Sequence, residues 1–77
     1  MRIQETSDCQ VAFGKWIKEA RERKDLRQLD VAEMADIKQS YYSMIENGQR
    51  NVDLNLAIRI CQILKLDIGD FTKRYTK

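Results

Sequence analysis

Apolar residues recur at spacings of three and four along almost the whole chain, and no proline interrupts them in 77 residues. A helix brings residues i, i+3, i+4 and i+7 onto one face, whereas a strand alternates. Runs of β-branched residues, the mark of a strand, are absent. The pattern therefore predicts an all-α chain. The length allows one domain over 1–77 and not two. Residues 1–6 carry no strong pattern and are expected to form a loose tail.

Local signals divide the chain into five helices. Ser7 and Gln10 have capping-box spacing, and the stripe of Val11, Ala12, Phe13, Trp16, Ile17 and Ala20 predicts a helix over roughly 8–24. Asp25 and Gln28 repeat the spacing and start a short second helix near 26–28, with Leu29, Val31, Ala32 and Ala35 inward. Asp36 tolerates a left-handed backbone and marks a tight turn. A third helix over roughly 39–46 stops at Gly48. Asp53 is a credible cap for a fourth over roughly 54–65, and Asp67 for a fifth over roughly 68–75.

Several function classes recede. With no histidine the usual general base is missing. The three glycines are isolated, so no glycine-rich phosphate loop exists, and no nucleophile sits in a strained turn. An enzyme is not expected, nor any cofactor. Two cysteines, Cys9 and Cys61, cannot supply the four ligands of structural zinc, so no metal is expected. Neither a signal-peptide core nor a stretch of about 18 apolar residues occurs, and a cytoplasmic protein without membrane contact is expected. The net charge of +2 neither demands nor excludes a nucleic acid.

Residues 28–47 read as two short helices around a tight turn. Small Ala32 lets the second helix cross closely, and Val31, Ala35, Ile37, Tyr42 and Ile45 take the inward positions of a helix-turn-helix. The stretch "RQLDVAEMADIKQSYYSMIENGQRN", with its flanking helices, resembles the phage repressor/Cro family, also called the XRE family. The resemblance covers about residues 11–72. It implies a five-helix lambda-repressor-like fold and double-stranded DNA as partner. Arg27 and Lys38 stand where the family often has Ser or Thr, Asp36 where it usually has Gly, and Val52 where it often has Pro. The resemblance further implies a structural ion pair between Arg21 and Glu46, and a phosphate contact from Gln28.

With the third helix as the recognition helix, Tyr42 and Ile45 share the inner face. Gln39, Ser40, Tyr41, Ser43 and Met44 are then candidates for base contact. Gln can pair with adenine, Ser with several bases, and Met with a thymine methyl group. Arg27, Gln28, Lys38, Asn47, Arg50 and Asn51 flank the motif as phosphate candidates.

Helix four is too apolar for one core. Leu54, Ala57, Ile58, Cys61 and Leu64 form one stripe, and Leu56, Ile60 and Ile63 widen it to an arc of roughly 220°. The excess, with Leu66, Ile68 and Phe71, predicts a two-fold interface. The sequence thus reads as a homodimeric, sequence-specific transcriptional regulator on a palindromic operator, of controller or phage type. The alternative is a protein-interaction module or antitoxin that uses the apolar surface of helices four and five for another protein.

Overall fold

The computed structural model describes the backbone of residues 4–76 and the side chains of 8–75. Five helices follow in order: α1 (Gln4–Arg23), α2 (Gln28–Ala35), α3 (Gln39–Glu46), α4 (Leu54–Leu64) and α5 (Ile68–Thr76). Among the described residues there is no strand. Helix α1 packs on α3, α4 and α5, and α2 closes the far side against α3 and α4.

Four helices end by one device. Asp25, Asp36 and Lys65 have φ of 59°, 61° and 58°, and Gly48 has 74°. At each, the next residue's N–H reaches back to a carbonyl five positions earlier: Leu26 to Arg21, Ile37 to Ala32, Gln49 to Met44, Leu66 to Cys61. This is the Schellman closure, which satisfies carbonyls that a helix end leaves open. Three of the four following residues are apolar (Leu26, Ile37 and Leu66) and half-buried against the core. Their burial holds a non-glycine residue in the left-handed region that its Cβ disfavours.

Helix starts are less uniform. The Asp53 carboxylate accepts from the Leu56 N–H at 2.8 Å, and that of Asp67 from Gly69 at 2.9 Å, as N-caps do. Asp25 does not cap α2; it closes α1. Asp30 supplies the cap instead, accepting from the Arg27 N–H at 2.8 Å. Helix α1 starts at Gln4 and runs through Ser7 and Gln10. Gln and Glu at positions 4 and 5 are good helix formers, so nothing stops the helix at Ser7. The expected tail over 1–6 thus forms the first turn from Gln4 onward, and 1–3 lie outside the described residues.

Tyr42, Ile17, Ile45, Ile60, Leu64 and Val31 are the largest fully buried side chains. An aromatic cluster pins α5 to α1. Phe71 meets Phe13 edge-on at 5.5 Å and Trp16 at 5.2 Å between ring centroids. Edge-to-face pairs of this kind add to area burial.

The proposed interface set needs correction. Leu56, Ile60 and Phe71 are buried in the chain's own core. Ile63 and Leu66 are half-buried against that core, and only Ile68 of the six is exposed. Leu54 and Ile58, expected inward, are 73% and 41% exposed. Val11 and Leu29 also lie exposed. The arc on α4 is wide enough to fit two phases, and its neighbours choose between them. Arg59 donates to the Ala35 carbonyl at 2.9 Å, closing the end of α2 and turning Leu56 and Ile60 inward.

Lys65→Gly is expected to raise stability by about 1 kcal/mol, because it removes a Cβ from a left-handed site. Gly48→Ala does the reverse: the added Cβ would lie 2.8 Å from Val11 Cγ2. Urea unfolding of both variants beside the parent checks the two signs.

Candidate nucleic-acid interface

Helix α3 presents two unlike faces. Tyr42, Ile45 and Glu46 point inward and are buried. Gln39, Ser40, Met44 and Asn47 are exposed, and Tyr41 and Ser43 are half-buried at the margin. The turn at Asp36 sets the crossing of α2 and α3, and fully buried Ala32 and Ala35 let the helices approach closely.

The inner face carries a charge. The Glu46 carboxylate has a fully buried side chain and meets the Arg21 guanidinium in two bonds, Nε at 2.6 Å and Nη2 at 3.1 Å. A third donor, Nη1 of Arg21, reaches the Leu26 carbonyl at 2.8 Å. Gln28 Nε2 donates at 3.0 Å to Glu46 Oε1, the oxygen that also accepts from Arg21 Nη2. One cluster therefore ties α1, the α1–α2 turn, α2 and α3 together. Burial pushes the Glu46 carboxyl upward, but the bonds from Arg21 and Gln28, with the Tyr42 hydroxyl nearby, more than offset it and hold the pKa below the usual glutamate value. Burial and then Glu46 push the Tyr42 phenol up. The Tyr42 hydroxyl is buried near that carboxylate without aligned hydrogen-bond geometry.

Backbone contacts hold the far end of α3. A Cβ at Gly14 of α1 would lie 2.5 Å from the Glu46 carbonyl oxygen and closer still to that of Ile45. Gln10 Nε2 donates to the Gly48 carbonyl at 3.3 Å. The sequence marks neither Gly14 nor Arg59, and marks Gln10 only as a capping-box partner of Ser7, not as a contact of the α3 end. An isolated glycine inside a helical pattern was the available signal for the first.

The phosphate candidates differ in freedom. Lys38, Asn47, Arg50 and Asn51 are exposed at the two ends of α3 and in the loop after it. Arg27 is exposed but ion-paired, with Nη2 at 2.7 Å from Asp30 Oδ1. That pair, with the Arg27 backbone N–H, holds the Asp30 carboxyl below its usual range. Gln28 spends one amide proton on Glu46 and keeps a second. The Arg50 guanidinium lies over the Tyr41 ring, 5.0 Å from its centroid.

Residues 17–71 match the family described as helix-turn-helix. The chain belongs to the XRE-type helix-turn-helix family of DNA-binding transcriptional regulators. It is 45% identical over 49 residues to the control protein C.MunI of a Mycoplasma species, a match spanning 62% of this chain and 66% of that protein, just under two thirds of its length. It is 40% identical over 53 residues to the HTH-type transcriptional regulator YqaF of Bacillus subtilis, covering 69% and 70% of the two chains. Among solved structures, the restriction-modification controller protein C.AhdI of Aeromonas hydrophila superposes with a TM-score of 0.76 at 31% identity, over 83% of this chain and 96% of that one. The clp gene regulator ClgR of Corynebacterium glutamicum superposes at 0.80 with 23% identity, over 83% and 68%, which establishes the shared fold. All four are named as control proteins or regulators. No described helix of this XRE-type protein is long and apolar enough to cross a membrane.

Arg21→Ala leaves a buried carboxylate without its cation and is expected to cost about 3–5 kcal/mol near neutral pH. In the parent, the folded pKa of Glu46 is depressed. Its stability contribution is present above the ordinary glutamate value and is lost as pH falls through the lower folded value. In the variant, burial outweighs the remaining bond from Gln28 and raises that pKa, so the deficit shrinks as the medium is acidified. Urea unfolding at pH 7 and pH 4 checks both signs.

Proposed function

We propose that the protein binds a palindromic operator as a homodimer and regulates transcription in the manner of a restriction-modification controller. The carrying observation is the split of α3: a locked inner face, and an outer face of polar and soft apolar side chains that the core does not use. Gln39 and Ser40, at the N-terminal end, meet base edges in the major groove, with Ser43 and Met44 beside them; Tyr41, half-buried at the margin, is left to carry Arg50. Gln28, Lys38, Asn47, Arg50 and Asn51 hold phosphates, and Arg27 contributes least because Asp30 neutralises it. Two relatives named as control or controller proteins support the regulatory assignment.

The dimer reading rests on surface that the fold leaves open. Leu54, Ile58 and Ile68 are exposed apolar residues on α4 and the start of α5. Leu54 and Ile68 flank an open groove of about 360 Å3 floored by Phe13 and Phe71. A second copy covers it. Two recognition helices then sit about one DNA turn apart, ~34 Å. A protein partner on the same surface is the rival occupant.

Selection from random duplex DNA at about physiological salt should recover a palindrome with half-sites roughly ten base pairs apart. If no sequence is enriched, the operator reading fails. On the recovered site, Gln39→Ala should relax preference at one base position and cost about 1–3 kcal/mol. Leu54→Asp should give monomers in sedimentation while the circular dichroism stays helical, since Leu54 lies outside the core. A dimer that survives the change puts the interface elsewhere.

A further inference from the structure

We infer that Tyr41 is a positioning residue for Arg50: its ring holds the guanidinium beside the outer face of α3, ready for DNA. This role rests on the proposed DNA binding and deepens it. The two residues are nine apart, one in α3 and the other in the loop after it. The guanidinium lies 5.0 Å from the ring centroid, within cation–π range. Among the described residues no carboxylate pairs with Arg50. The ring is therefore its anchor. Tyr41 is itself fixed, half-buried and packed against the core.

The arrangement suits an arginine in particular. Its planar guanidinium can rest one face on a ring while its N–H groups stay open at the edges. A long flexible side chain loses rotamer freedom when it binds. Tyr41 takes part of that loss in the free protein, so less remains to be lost on the duplex. Tyr41 then acts through Arg50, with no DNA contact of its own required.

A double-mutant cycle on the selected duplex tests this at fixed salt. Tyr41→Phe keeps the ring and should bind like the parent. Tyr41→Leu should weaken binding about two- to five-fold. In an Arg50→Ala background, Tyr41→Leu should weaken it no further. Equal losses in both backgrounds would mean that Tyr41 touches DNA directly and would overturn the role. A second measurement needs no variant. In the DNA-free parent, ring current should move the Arg50 δ protons upfield of their random-coil position. Unshifted protons refute the contact. If the parent binds no duplex, the DNA reading fails and takes this role with it, and the proton shift still reports whether the contact exists.

Discussion

One buried ion pair organises this fold. Glu46 sits at the end of α3 with its side chain out of water, and Arg21 reaches it from α1 with two donors while a third holds the α1–α2 turn. A carboxylate in that place is tolerable only if paired and hydrogen-bonded. Each element that meets the cluster is thereby fixed relative to the others. Gln28 adds α2 to the same carboxylate. A hydrophobic substitute of equal volume would stabilise as well or better, as buried pairs often allow. Such a substitute would not fix rotation, because apolar surfaces slide where bidentate bonds do not.

The apolar periodicity made the five helices and the inner face of the helix-turn-helix legible. Val31, Ala35, Tyr42 and Ile45 repeat at helical spacing, and all are buried. Asp36 was legible as a left-handed turn because aspartate tolerates that backbone. Asp25 was not, since the same residue type serves equally as an N-cap, and only the chain's path separates the two uses. Arg21 and Glu46 lie 25 positions apart. No local rule connects them, and only the family resemblance brought them together.

Helix α4 marks the limit of periodic reasoning. An apolar arc that covers more than half of a helix carries little information about phase. The choice fell to groups outside the pattern, the Arg59 guanidinium on the Ala35 carbonyl and the aromatic cluster that draws α5 onto α1. The surface left over is therefore Leu54 and Ile58, not Leu56 and Ile60. The outer face of α3 was visible from helical phase, but the pairing of Arg50 with Tyr41 was not, because a loop conformation decides it.

The close seat of α3 on Gly14 has a consequence for how such a protein can change over time. The helix is held by main-chain atoms and by its inner side chains, and Gln39, Ser40 and Met44 contribute nothing to that hold. Substitutions at those three positions leave the scaffold's free energy nearly untouched. A lineage can therefore change the outer face of α3 one residue at a time, without first acquiring spare stability. The constraint moves to Gly14, where even a methyl group would push α3 away from α1.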